Sequence, residues 1–399
     1  MPAAAGRVPL TRRSEHAWAA VAAATALNLP LGSIYAFSVF LKPIEQDLGT
    51  TRAALSFVFG LATICYVLGM NLAPALFGRV PAWLLLALSA IACGAGIGLS
   101  AAASGLPALL FGYGVLFGLG GGAAYIVLLQ SANVLVRQRK GLLNGYIVGL
   151  YPAGAMMAAP LFGWANAQFG HRTTLAGLAA VLLLCGLIGT LLTIYAGARF
   201  ERARPATPGS AGAGSTATFI RLTLVFFLAA AAGLMVLSQA AGMITAYGGA
   251  AATALVATTS ITGAIAFARI SGGWLVDRFP VPMVAGFANA WAMTGALILT
   301  LWPAPLVAAI GLAMMGMGYG FISGCTAGAV AAYWPPDQYG KIAGRIYIAW
   351  CVAAITLPIL AGRLFDVTGT YAIAVIVAGC GNVIGLIVAL GLPRQARAA

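Results

Sequence analysis

Long apolar runs separated by short polar breaks fill this chain and set its architecture before any single residue does. Each run continues without apolar/polar alternation for about 20 residues or more, which is what an α-helix needs to cross a bilayer and well beyond the length of a barrel strand. The pattern predicts twelve helical spans, near residues 17–41, 53–76, 81–103, 106–134, 141–166, 172–196, 219–246, 251–276, 281–302, 304–333, 343–363 and 370–391. Arg7, Arg12 and Arg13 precede the first run. That run continues through Phe40 without a small-residue cleavage site, so it reads as a retained helix and not as a removed signal.

One polar connection is long. The stretch 196–218, containing ERARPATPGSAGAGST, is rich in Gly, Pro, Ser and Arg and divides the spans six and six. The expected organisation is a first half at 1–196, a linker at 197–218 and a second half at 219–399. The halves read as repeats. Lys140-Gly141 is followed by Pro160 and Gly170, as Gly340-Lys341 is followed at nearly the same spacing by Pro358 and Gly369, and FGR at 77–79 parallels VDR at 276–278. Two related six-helix halves around a midplane cavity are what alternating access requires.

Composition agrees with lipid as the solvent. Apolar residues make up 62% of the 399 and charged residues 7%, with a mean hydropathy of +0.98. The formal charge of +14 does not point to nucleic acid, because the basic residues sit in short loops and not on one stripe. Of 21 Lys and Arg, sixteen fall on the side of both chain ends, four (Lys42, Arg52, Arg172, Arg363) fall on the other, and Arg269 lies inside a span. The positive-inside rule then predicts both termini in the cytoplasm. All six cysteines (Cys65, Cys93, Cys185, Cys325, Cys351, Cys380) fall in spans without paired spacing, so neither a disulfide framework nor a metal site is expected, and no cofactor is called for.

Arg269 is the residue that carries chemistry. No Asp or Glu lies well inside any span: Glu15, Glu45, Asp47, Glu201, Asp277, Asp337 and Asp366 are all at ends or in loops. Arg269 precedes Asp277 by eight residues, roughly 12 Å of helix against a half-thickness of about 15 Å. An intramembrane arginine costs at least about 2.5 kcal/mol and normally faces a cavity with an anionic partner. The missing anion can be the substrate, because a planar guanidinium holds a carboxylate through two parallel hydrogen bonds. The competing reading is that Arg269 snorkels to the interface or pairs with helix ends.

GGWLVDR (272–278) resembles the Gly-x-x-x-Asp-Arg loop motif of the major facilitator superfamily, with Gly273, Asp277 and Arg278 as its conformational residues; the counterpart at Gly69 to Arg79 lacks the Asp. Within that superfamily, 31–49 (LGSIYAFSVFLKPIEQDLG), 139–172 (RKGLLNGYIVGLYPAGAMMAAPLFGWANAQFGHR) and 344–371 (GRIYIAWCVAAITLPILAGRLFDVTGTY) are similar to the oxalate/formate antiporter family and the related monocarboxylate transporters. The resemblance implies an all-α major facilitator fold, twelve transmembrane helices in two pseudo-two-fold-related halves, and a substrate-binding Arg in the eighth helix, which ARISGGW (268–274) matches. It also implies a cavity lined by helices 1, 4, 10 and 11, where Tyr35, Tyr125, Tyr319 and Trp350 fall. Tyr125 and Tyr319 follow Gly-rich stretches expected to open room beside them.

Two departures matter. The oxalate exchanger's Lys in the eleventh helix has no counterpart in 346–362, and one fixed charge suits a monoanion. The Lys and Asp of proton-coupled animal relatives align with Tyr35 and Ile265, so that relay is absent and a co-transported proton is left open. Asn28, Gln130, Asn133, Asn144 and Gln239 read as groups that bond between helices.

The expectation is therefore a monomeric, bacterial inner-membrane carrier of a small monocarboxylate of the lactate, pyruvate or formate class, working without nucleic-acid partners. The alternatives are oxalate/formate-type exchange or a non-transporting sensor. An enzyme is not expected: two histidines near membrane edges and no buried acid leave nothing for acid/base, nucleophilic or metal chemistry.

Overall fold

The structure, a computed structural model, describes residues 16–200 and 214–394. Arg7, Arg12, Arg13, Glu15, Glu201, Arg202, Arg204, Arg397 and most of the 197–218 linker lie outside the described residues. Among the described residues, eleven helical segments are long and apolar enough to cross a membrane. One of them, the 57-residue stretch Lys140–Ala196, breaks at Gly170 (φ 79°, ψ 159°) and supplies two crossings, which makes twelve. That φ is open to glycine and strained for other residues. The crossings are α1 (Ala17–Ala36), α2 (Ala54–Leu76), α3 (Ala82–Ala101), α4 (Leu106–Leu135), α5 (140–169), α6 (171–196), α7 (Thr216–Ala246), α8 (Ala252–Val276), α9 (Val281–Leu301), α10 (Pro305–Tyr333), α11 (Pro336–Thr368) and α12 (Ala372–Leu390).

Four spans are not continuous α-helices: α2 ends in a 3-10 turn at Ala73–Leu76, α4 has a π-helical stretch at Leu110–Phe117, and α1 and α11 are interrupted. α1 tightens into a 3-10 turn at Gly32–Ala36 before a further helix, Ser38–Leu48. At Gly32 it meets the backbone of Tyr151 in α5 so closely that a Cβ has no space. α11 pauses at Ile355 and Thr356, between Tyr339–Ala354 and Leu357–Thr368, because Pro358 has no N–H for the carbonyl four residues earlier.

Within the first half α2 packs on α4 and α1 on α5; within the second, α8 and α9 pack on α10 and α9 on α12. α5 meets α8 and α10, and α2 meets α11, across the halves. Large apolar side chains such as Leu184, Leu255 and Ile387 cover the outside, as expected where lipid replaces water and helices associate through packing and small residues. The face carrying His16, Arg137 to Lys140, Arg278 and Arg394 is called the terminal face below.

Candidate substrate-binding site

α8 carries Arg269 into the interior, where only 3% of the residue is exposed. The partners that hold it follow from local sequence. Pro152 in α5 has no N–H, so the carbonyl of Val148, four residues earlier, loses its helical donor. The Arg269 guanidinium takes that place, Nη1 donating to Val148 O at 3.1 Å, while Nη2 donates to the Tyr319 hydroxyl at 2.9 Å. Its Cζ lies 5.0 Å from the Tyr319 ring centroid, a cation–π arrangement. Nε is buried with no partner. Arg52 pairs with Glu45 and Arg172 with Asp47, beside which His171 Nε2 lies at 3.4 Å, all at the face opposite the terminal one. Among the described residues no carboxylate is ion-paired with Arg269.

Around this cation stands a group of phenols. Tyr35, Tyr66, Tyr125, Tyr151, Tyr347 and Trp350 line one cavity with Ile34, Val148 and Arg269. Trp350 Nε1 donates to Tyr319 at 3.0 Å, the Tyr125 and Tyr347 hydroxyls bond at 2.7 Å, and Tyr66 donates to Tyr151. The rings meet edge-on or tilted, Tyr125 and Tyr151 at 5.2 Å and Tyr35 and Trp350 at 6.3 Å between centroids. Tyr319 oxygen already accepts two N–H groups and Tyr151 accepts one O–H, so their own hydroxyl hydrogens, with Arg269 Nε–H, have acceptors to find. Such a site favours an oxygen-rich anion. The cavity measures about 20 Å³, about the room of one water, so anything larger is admitted only as the helices part.

The structure thus brings Arg269, Tyr35, Tyr125 and Trp350 to one cavity, with Tyr319 behind as the hydroxyl joining Arg269 to Trp350. Tyr66, Tyr151 and Tyr347 were not singled out by the sequence. Tyr347 lies three residues before Trp350 on the same helical face, and Tyr151 stands directly before the helix-breaking Pro152; Tyr66 has no such signal. The glycines near Tyr125 and Tyr319 do a different job from the one expected. Gly121 and Gly122 face Tyr66 of α2, and Gly320 faces Ala268 of α8. They draw helices together rather than open room.

The terminal face is shut by bonds between the halves. Asp277, where α8 ends, accepts the α5 amides of Gly141 at 2.7 Å and Leu142 at 2.8 Å. Gly273 lies against Gly141 and Gly145, allowing α8 onto α5. Arg278 turns away, stacking on Trp274 with Cζ 3.9 Å from the ring. Gln130 of α4 accepts from Gly340 N at 2.8 Å and donates to Pro336 O at 2.7 Å, and Asn71 of α2 donates to Gly344 O at 2.9 Å. Asn133 and Asn144 bond reciprocally between α4 and α5, and Gln239 donates to Pro358 O. Asn28 is buried with neither end partnered.

A two-halved helical bundle with one cationic cavity between its halves defines a membrane carrier. The profile of the Major Facilitator Superfamily matches residues 22–326, and the chain belongs to that superfamily. It is similar to monocarboxylate transporter 11 of Mus musculus, 26% identical with 94% of this chain and 87% of the relative covered, and to monocarboxylate transporter 13 of Bos taurus, 26% identical with 92% and 86% covered. In fold it matches the proton:xylose symporter XylE with a TM-score of 0.74 at 15% identity, covering 96% of this chain and 97% of that one. It is a transporter and not an enzyme.

Proposed function

We propose that this protein carries small monocarboxylate anions of the lactate, pyruvate or formate class by alternating access, with the carboxylate held by Arg269. The observation that carries this reading is the buried guanidinium with an orphaned Nε and no ion-pair partner among the described carboxylates. A carboxylate supplies the charge and lone pairs that Arg269, Tyr319 and the neighbouring hydroxyls lack. Tyr35, Tyr125 and Trp350 wall the bound anion off from water and offer hydroxyl and indole donors. The halves 1–196 and 219–399 rock about this site, joined by the 197–218 linker, and the Gly273, Asp277 and Arg278 motif governs closure of the terminal face. The names of the two monocarboxylate transporter relatives support the substrate class. We place the protein as a monomer in a bacterial inner membrane with both termini in the cytoplasm, following the charge bias of its loops. A proton accompanying the anion would travel without the Lys and Asp relay of animal relatives.

The second reading is exchange of oxalate for formate. It requires the dianion's second carboxylate to be met by phenols and Trp350 Nε1 alone.

The test is uptake of labelled lactate, formate and oxalate into proteoliposomes, with and without preloaded acid, by the native protein and by Arg269→Ala and Arg269→Lys. Saturable uptake of a monocarboxylate should fall at least about 100-fold in Arg269→Ala, consistent with losing a buried charged bond of about 3 kcal/mol. Arg269→Lys, which keeps the charge without the fork, should recover only part of it. Equal uptake in all three proteins would sink the assignment.

A further inference from the structure

A second cavity lies directly on the terminal side of the first. It measures about 10 Å³ and is lined by Phe226 of α7, Ser323, Thr326 and Val330 of α10, and Tyr339 and Tyr347 of α11, among others. Helix register fixes its place. Along α10, Ser323, Thr326 and Val330 follow Tyr319 toward the terminal end at Tyr333, and along α11 Tyr339 lies eight residues on the terminal side of Tyr347, roughly 12 Å at ~1.5 Å per residue. Tyr347 lines both cavities. Its hydroxyl is bonded to Tyr125 of the other half, so one side chain both divides the two spaces and ties α11 to α4. The second space is not simply a packing gap between apolar helices: Thr326 Oγ1 is buried there without a partner, and Ser323 presents a second hydroxyl. A buried hydroxyl left unbonded costs about 1–3 kcal/mol, which water or a passing anion relieves.

We propose that Tyr347 is the inner gate of the binding site, and that substrate released toward the terminal face passes Tyr347 into the pocket lined by Ser323 and Thr326 once the Tyr125–Tyr347 bond breaks and α11 moves from α4. The proposal rests on the carrier reading but not on which acid is carried.

The experiment uses full-length protein with the six cysteines replaced by Ser or Ala, carrying Thr326→Cys, in vesicles whose sidedness is fixed by a C-terminal tag. The probe is a membrane-impermeant methanethiosulfonate. Modification should proceed from the terminal side and not from the opposite side, and Tyr347→Phe, which keeps the ring and removes the hydroxyl, should speed it at least about threefold. Tyr125→Phe removes the same bond from the other half and should do the same, while the double variant adds little beyond either. A residue that merely packed would leave these rates unchanged in both Phe variants. Failure of Thr326→Cys to react from the terminal side, or unchanged rates in both Phe variants, overturns the gate. Because labelling needs no substrate, such a failure is separate from a failure of Arg269→Ala to affect uptake.

Discussion

The terminal face is held by two helix starts, and they are capped differently. α5 begins after Arg139, which has a left-handed φ of 49° and no capping side chain, and the first α-helical part of α11, Tyr339–Ala354, begins after Gln338, equally uncapped. In both, the amide of the repeat-related glycine, Gly141 or Gly340, is satisfied by a side chain from the opposite half. For α5 that side chain is the carboxylate of Asp277, which takes two N–H groups at the positive end of a helix dipole. For α11 it is the neutral amide of Gln130, which takes one N–H and returns one to Pro336 O. The first half has no Asp in its 77–79 loop; the Phe77 ring lies against Gly340 instead. A cap supplied in trans makes closure and helix termination one event, since opening the face leaves first-turn amides unpaired. The charged latch should therefore be the stronger and the neutral one the more easily released.

The largest expected effect separates the two glycines. A Cβ on Gly141 runs into the backbone carbonyl of Gly273, which cannot move without shifting α8, whereas one on Gly340 meets the Phe77 ring and Gln130 side chain, which can turn. Spin labels on Gln138→Cys and Phe279→Cys, in the cysteine-replaced protein, report closure as a short distance. Gly141→Ala should nearly abolish that population and Gly340→Ala should leave it in the majority. The reverse order would refute the asymmetry. Next in size is Asp277→Ala. Hydrogen bonds to a charged group contribute about 1.5–3 kcal/mol, and Asp277 is exposed, so about 2 kcal/mol for the pair is a fair figure. The ratio of closed to open should fall roughly 30-fold, and a fall of less than about threefold in the same measurement would show that charge adds little there.

Most of the fold was legible because lipid imposes a simple rule: twelve apolar runs of spanning length have few arrangements, and basic residues mark the loops of one face. Arg269 was legible for the same reason, as the one basic side chain placed well inside a span. The rest of the cavity was not. Tyrosines are frequent in membrane proteins at interfaces and in packing, so Tyr66 carries no distinguishing mark along the chain, the cues at Tyr151 and Tyr347 are weak by themselves, and the convergence of all three depends on how α2, α5 and α11 rotate. Val148 was hidden because its role belongs to a backbone carbonyl, though Pro152 four residues later announces it. Along the chain Gln130 resembles any inter-helix amide; its significance comes from facing the other half, which no spacing within α4 reveals.

The smallest effect is the most discriminating. Gln130→Ala removes two neutral hydrogen bonds, only one of which leaves a buried donor, Gly340 N–H, and should reduce the closed-to-open ratio about fivefold, or about 1 kcal/mol. Gln130→Glu then asks whether charge or complementarity sets the strength of this latch. A glutamate can still accept from Gly340 and adds negative charge at a helix start, which alone would strengthen closure. It also replaces the amide nitrogen, now 2.7 Å from Pro336 O, with an oxygen facing that carbonyl, in a place where only 1% of the residue reaches the surface. Two acceptors opposed at a buried position, with a charge taken out of water there, cost more than the helix start returns, so the Glu variant should close less well than Ala. If it instead closes as firmly as the Asp277 side, the difference between the two latches is one of charge alone, and a single substitution would have made the halves alike.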